Sequence, residues 1–154
     1  INSIPKINIW TSQLTRTINT AILCNHPKKK LKKLNEINAG DFENLTYSEV
    51  KRSHLEEYNK RNLDKLTYRY KNGESYLDLI KRVEPLIEKA INKTKKSPLL
   101  IVAHQAVLRV ILGKLRKLND IDIPHLSIPL HTLFEIELNN NGEIVNLEKT
   151  YFEI

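Results

Sequence analysis

Three kinds of side chain in this sequence suit an anion and a moving proton: a histidine, a scatter of arginines and lysines, and a loop carboxylate. His104 and Gln105 follow a short apolar run at residues 99–103, and Ala106, Val107, Val110 and Ile111 then recur at helical spacing with Arg109 among them. That pattern predicts a strand, a sharp turn and a helix. In an open α/β sheet, ligands collect at such a junction, and the free N–H groups of a helix N-terminus favour an anion there. A histidine and an arginine at this place point to phosphate. Taken alone, a strand-end histidine is more often a hydrogen-bonded core residue. Arg16 carries the same ambiguity: a guanidinium fork can clamp phosphate oxygens, yet a helix arginine is usually solvated. Glu36 lies in a loop ahead of Ala39 and Gly40. A general acid needs a carboxyl beside the leaving oxygen with its pKa raised, but by spacing alone Glu36 is an ordinary loop glutamate. Tyr47, Arg61, Lys65 and Tyr76 add cations and hydroxyls. Each by itself reads as surface, but a ligand with two phosphates would need two such clusters.

The elements that must position these groups follow from local signals. Residues 7–11 (INIWT) predict a strand, and Thr11 or Ser12 can cap a helix to about residue 23, where Pro27 prevents continuation. Its apolar stripe is Leu14, Ile18, Ala21 and Ile22. Residues 31–34 predict a second strand and 35–44 a loop. Thr46 with Glu49 forms a capping box for a helix running towards Tyr58. Residues 61–70 have no clean period and predict a loop, and Asn72–Gly73 is a turn signal. Ser75 opens a helix to about residue 93 that contains Pro85. The strand at 99–103 and a helix to about residue 118 come next. Two extended stretches, 127–138 and 143–151, joined by 139–142 (NNNG), predict a hairpin. The order β-α-β-α-α-β-α-β-β implies an α/β three-layer sandwich whose sheet is mostly parallel with an antiparallel edge.

Composition narrows the classes. At 154 residues, with 40% hydrophobic and 28% charged residues, the chain is the size of one globular domain with a real core, read as residues 1–154 without an internal linker or repeat. No apolar run reaches membrane-spanning length, no signal peptide is visible and the lone cysteine, Cys24, forms no internal disulfide; together these predict a cytoplasmic protein without a membrane partner. The net charge of +7 owes much to residues 28–33 (KKKLKK), without whose five lysines it would be +2. No aromatic residue is interleaved there, which argues against nucleic-acid binding. The five histidines lack zinc spacing with one another or with Cys24, so no metal site is expected. A Gly-rich phosphate loop and a G-x-S-x-G elbow are absent from the sequence. With no methionine at all, the chain reads as a piece of a longer one.

Several stretches together carry a resemblance. Residues 10–21 (WTSQLTRTINTA) look like the second signature of the histidine phosphatase superfamily. Residues 34–47 (LNEINAGDFENLTY), 68–76 (YRYKNGESY), 103–109 (AHQAVLR) and 129–132 (PLHT) narrow it. Together they resemble the bisphosphatase domain of the 6-phosphofructo-2-kinase/fructose-2,6-bisphosphatase family over nearly the whole chain. The resemblance implies that Glu36 is the proton donor and acceptor, and that Arg16 and His104 hold the transferring phosphoryl group. Tyr47, Arg61, Lys65, Tyr76, Gln105 and Arg109 would bind the fructose bisphosphate, several at its 6-phosphate. A histidine nucleophile would take the 2-phosphate, Glu36 would protonate the departing sugar oxygen, and water would hydrolyse the phosphohistidine. Arginine and histidine cations would stabilise the charge without a cofactor, ATP and magnesium being needed only by a kinase domain.

One departure stands out. The family's nucleophile lies in an Arg-His-Gly motif on a strand upstream of the one matching residues 7–11, and this sequence contains no Arg-His-Gly. The expectation is therefore a histidine phosphatase fold lacking its first strand, without the kinase domain, and inactive as it stands. The alternatives are a non-catalytic sugar-phosphate-binding module and another phosphatase of the phosphoglycerate mutase type. A sheet deprived of a central strand exposes backbone groups and apolar faces. The gap is expected to be filled by a neighbouring chain's strand, as in a homodimer or strand exchange, or by rearranged edges, or else to leave the chain labile.

Overall fold

The strand Asn8–Thr11 (β1) is the middle member of a parallel sheet, and the site is built from the loops at its end and its neighbour's. The computed structural model describes residues 1–152. Along β1, side chains alternate between faces. Trp10 packs with Ile101 against the main core, while Ile9 and Thr11 are buried on the opposite face. On one side β1 pairs in parallel with Lys28–Lys30 (β2), and on the other with Leu99–Val102 (β3), giving the order β2-β1-β3. Thr132–Leu138 (β4) and Ile144–Tyr151 (β5) form a separate antiparallel hairpin.

Five α-helices stand among the described residues: Thr15–Thr20 (α1), Tyr47–Ser53 (α2), Leu55–Leu63 (α3), Tyr76–Thr94 (α4) and Gln105–Leu115 (α5). Ser75 caps α4 and Thr46 caps α2, each with a reciprocal capping box. The apolar stripe of α4 (Leu79, Val83 and Leu86 among it) closes on Val107 and Val110 of α5 and on Leu34 and Ile123 to make the core. Helix α4 runs unbroken through Pro85.

Several predicted boundaries move, each for a physical reason. The second strand lies at Lys28–Lys30 rather than 31–34, and Lys32–Leu34 is a 3-10 turn that sinks Leu34 fully into the core. The three lysines are exposed on an edge strand, where charge discourages further pairing. The first helix starts after Leu14 and ends at Thr20, so Ile22 is exposed rather than part of an apolar stripe. The helix expected from Thr46 to Tyr58 breaks at His54, whose backbone leaves the helical region and whose ring packs on Phe42. A further helix, α3, then carries Arg61 in its last turn, where a loop was expected. The hairpin is not an edge of the parallel sheet. Among the described residues no strand pairs with the outer edge of β3, and the edges do not rearrange to close the space. Between β3 and β4 lies an open apolar cleft of about 730 Å³, lined by Ile7, Leu99, Leu133 and Phe134 among others. A smaller cavity of about 200 Å³ continues it beneath, against Ile87, Ile91 and Ile111.

Candidate active site

At the carboxyl ends of β1 and β3 the chain turns twice, and both turns carry polar side chains that meet. His104 is the N-cap of α5 and is buried. Arg16 Nε donates to His104 Nδ1 at 3.0 Å. That leaves Nδ1 without a proton, so His104 Nε2 carries it and donates to Ser12 Oγ at 2.8 Å. Ser12 Oγ in turn lies 2.7 Å from Thr17 Oγ1, whose own proton goes to the Leu14 carbonyl. Burial, aided by the Arg16 and Arg82 charges, pushes the His104 pKa down to about 4. The expected histidine cation is thus corrected: at neutral pH His104 is a neutral imidazole, because a buried ring already accepting from a guanidinium has no room for a second proton. The positive charge at this place belongs to Arg16.

Glu36 stands in the loop after the 3-10 turn. Its Oε1 accepts from the Ile37 N–H at 3.0 Å, and it also accepts from the Ala106 N–H at the start of α5. Burial raises its pKa, outweighing those bonds and the nearby Arg16 and Arg109 charges. A carboxyl with a raised pKa beside cations is suited to exchanging a proton. The loop is fixed by close backbone approach to the turn at 71–73. Gly40 has φ +53°, and a Cβ on it would collide with the Lys71 carbonyl; a Cβ on Gly73 would collide with that of Asn38.

From Glu36 a cavity of about 210 Å³ opens towards α3. Tyr47, Arg61, Tyr76, Gln105 and Arg109 line it together with Glu36. Arg109 Nη1 donates to the buried Tyr76 hydroxyl at 3.1 Å and its Nε to the Leu126 carbonyl at 2.7 Å. Gln105 Nε2 donates to the Ile128 carbonyl. Arg61 donates from Nε to Tyr70 Oη at 2.6 Å and from Nη2 to Tyr47 Oη at 3.1 Å, its guanidinium lying over both rings. Lys65 is not in the wall, but burial and the Arg61 and Arg109 charges lower its pKa, so it adds to the same positive field. Arg16 and His104 also lie outside the wall, at the strand ends.

None of Arg16, Arg61, Lys65 and Arg109 forms an ion pair among the described residues, whereas Arg82, Lys114 and Arg69 all do. Unpaired cations gathered beside a cavity leave room for an anion from outside. No cluster of metal-ligating side chains occurs among the described residues. Sequence reasoning missed Ser12 as the partner of His104, and Tyr70 as the partner of Arg61. Ser12 was visible as a candidate cap and Tyr70 stands inside the YRYKNGESY stretch, but their bonds join residues that only the fold brings together.

The family pattern described as histidine phosphatase superfamily (branch 1) matches residues 2–150. The chain belongs to the histidine phosphatase superfamily. Among curated members, a 6-phosphofructo-2-kinase/fructose-2,6-bisphosphatase of Arabidopsis thaliana is 43% identical over 88% of this chain and 18% of its own length. The human 6-phosphofructo-2-kinase/fructose-2,6-bisphosphatase 3 is 42% identical over 84% of this chain and 24% of its own length. The chain thus spans between 18% and 28% of the length of such curated relatives. Among solved structures, the α-ribazole phosphatase of Shigella flexneri superposes with a TM-score of 0.78 at 24% identity, covering 88% of this chain and 69% of that one. A mycobacterial glucosyl-3-phosphoglycerate phosphatase superposes with a TM-score of 0.75 at 20% identity, covering 94% and 75%. These last two show the histidine phosphatase fold.

Proposed function

We propose that the chain is the phosphatase part of a bifunctional 6-phosphofructo-2-kinase/fructose-2,6-bisphosphatase, converting fructose 2,6-bisphosphate to fructose 6-phosphate and phosphate in the cytoplasm and so regulating glycolysis. The observation that carries this reading is a cavity walled by Glu36, Arg61, Arg109 and two tyrosines, with Arg16 and Lys65 outside its wall, none of these four basic groups having a carboxylate partner among the described residues. The names and identities of the relatives support the substrate.

In this reading Arg61, Lys65, Tyr47, Tyr76, Gln105 and Arg109 hold the sugar and its 6-phosphate. Arg16 and the His104 site face the phosphoryl group at position 2. A histidine nitrogen from an Arg-His-Gly strand attacks phosphorus, the P–O bond to the sugar breaks, and the Glu36 proton goes to the departing oxygen. Glu36, now a carboxylate, takes a proton from water as that water attacks phosphorus and releases the histidine. Preorganised cations beside the transferring group lower the barrier by matching its developing charge, so no metal or cofactor is required for this half-reaction.

The sequence of 154 residues holds no Arg-His-Gly, and the cleft between β3 and β4 is open on both strand edges. We therefore propose that these residues alone turn over negligibly and that a further strand, from the parent polypeptide or from a second copy, completes the sheet. Loss of a covalent nucleophile removes the main route, which the remaining groups do not restore. Two measurements test the reading. Calorimetry with fructose 6-phosphate should show binding that weakens when Arg61 or Arg109 is replaced; no binding by the folded chain would sink the substrate assignment. A phosphate-release assay with fructose 2,6-bisphosphate should show almost none, and robust turnover would refute the proposed inactivity.

A further inference from the structure

Glu36 sits on a loop with no regular structure, yet proton exchange requires its carboxyl to be held to within a fraction of an ångström. The loop has a fastener that lies outside the cavity. Arg82, in the middle of α4, grips it from behind. Its Nη1 donates to the Lys33 carbonyl at 2.8 Å and to the Asn35 carbonyl at 3.0 Å, and its Nη2 to the carbonyl of Glu36 itself at 3.4 Å. The same guanidinium is fixed by a two-point pair with Glu74, Nε to Oε1 and Nη2 to Oε2, both at 2.8 Å. Glu74 then holds the far side of the loop, its Oε2 accepting from the Asn38 N–H and its own N–H donating to the Asn38 carbonyl, each at 2.9 Å. Arg82 and Glu74 are both about four-fifths buried.

We propose that Arg82 and Glu74 are the positioning residues for Glu36: one ion pair that clamps the loop on both sides of the carboxyl and sets where it stands against α1 and α5. Neither side chain lines the cavity, so neither touches substrate. Arg82, unlike the cavity cations, is thus paired with a carboxylate and donates to three backbone carbonyls. A lysine could pair with Glu74 but could not fork to the carbonyls. The inference rests on Glu36 being the proton-exchanging group of the proposed reaction. The groups that face Glu36 are Arg16 from α1, Arg109 and the Ala106 N–H from α5, and the Tyr76 hydroxyl from α4.

The test reads the Glu36 carboxyl directly, by carbon-13 NMR titration of the 154-residue chain, with Glu36→Gln assigning the signal. In the parent chain the midpoint should lie above the ordinary 4.5. Arg82→Gln should move it down towards 4.5 as the released loop lets water reach the carboxyl. Loss of a nearby positive charge alone would move it up, so the sign separates position from charge. Arg82→Lys keeps the charge and should still move the midpoint down. It also serves if Arg82→Gln fails to fold. A midpoint that stays put or rises in folded variants, even with a lower melting temperature, makes the pair a merely structural tie and overturns the proposal. So does a parent midpoint at or below 4.5. The titration needs no substrate. A failed fructose 6-phosphate titration with a downward midpoint shift would therefore sink the assigned function and leave the clamp standing.

Discussion

Strand β3 borders two regions of opposite character. At its carboxyl end, beyond His104, the cavity side is finished. Arg61 and Arg109 are each steadied there by protein acceptors, and His104 is locked between Arg16 and Ser12. Along its outer edge the apolar cleft towards β4 is open, with Leu133 and Phe134 only half-buried. In a parallel ladder successive residues turn their N–H and C=O groups to alternate sides. With Asn8 and Ser12 of the β1 side donating to the Pro98 and Val102 carbonyls, Leu99 and Ile101 turn theirs to the cleft. The cavity half is built without a strand on the outer edge of β3. It is assembled by α3, α4, α5 and the Glu36 loop around the core of Leu79, Val83, Val107 and Val110.

The contrast is sharpest in stability. Leu79 is fully buried, and Leu79→Ala should cost about 3–5 kcal/mol through lost transfer energy and a residual cavity. Leu133 borders the open cleft, and Leu133→Ala should cost about 1 kcal/mol or less. Urea titration of both variants measures this. Equal losses would mean the cleft is closed in solution and would abolish the distinction.

Next in size is a pH effect that comes from His104. The His104 pKa is about 4 in the fold against an ordinary 6.5, so between those values the unfolded chain binds more protons than the folded one. Stability contributed by neutral His104 is therefore full above pH 6.5 and is lost as pH falls towards 4. Discounted for partial access of water, the loss is about 2 kcal/mol. Glu36, with its pKa raised, acts in the opposite direction, costing stability as it ionises above pH 4.5. His104→Gln should flatten the limb between pH 6.5 and 4, measured by denaturant melts at several pH values. An unchanged limb would show that His104 is protonated in the fold and that its bonds to Arg16 and Ser12 open in solution.

Much of the fold could be read from local chemistry. The capping residues Thr46, Glu49 and Ser75 mark real helix starts, and the switch from the apolar run at 99–103 to helical spacing locates His104 at a strand end. The misplacements share one cause. Lys28–Lys30 carries no apolar signal because it is an edge strand, and only pairing with β1 makes it one. His54 ends a helix without a local breaker because its ring packs on Phe42. In the site, residue types pointed to Arg16, Glu36, Arg61, Lys65, His104 and Arg109 only collectively, and the family resemblance assigned their roles. Ser12, Glu74 and Arg82 stayed hidden because their partners lie far away in sequence, at His104 and across residues 33–38. The neutral state of His104 was likewise illegible, since it depends on burial and on the direction of the Arg16 bond.

On the finished side, removing a cation should weaken an anion without altering the cleft. Arg109→Ala deletes a charged donor and leaves the Tyr76 hydroxyl and the Leu126 carbonyl without their partner. A charged hydrogen bond contributes about 1.5–2 kcal/mol, so fructose 6-phosphate should bind roughly ten- to thirtyfold more weakly. Leu133→Ala should leave that affinity unchanged, and if it does not, the two regions are coupled through β3.

The smallest effect probes how the finished side holds Arg61. Tyr70 accepts from Arg61 Nε at 2.6 Å and is half-buried, whereas Tyr47 accepts from Nη2 at 3.1 Å and is 61% exposed. The better-enclosed oxygen should set the direction of the guanidinium, leaving the Nη1 donors, which have no acceptor among the described residues, aimed at a ligand. Tyr70→Phe keeps the ring beneath the cation and removes only that oxygen. The net loss of one hydrogen bond is about 1 kcal/mol, so fructose 6-phosphate should bind about fivefold more weakly, with no change in the Glu36 titration. Tyr47→Phe should cost less if its hydroxyl only steadies Arg61, because water replaces an exposed acceptor readily. If Tyr47→Phe instead costs more, the Tyr47 hydroxyl touches the ligand itself, and Arg61 is oriented by what it binds rather than by the wall behind it.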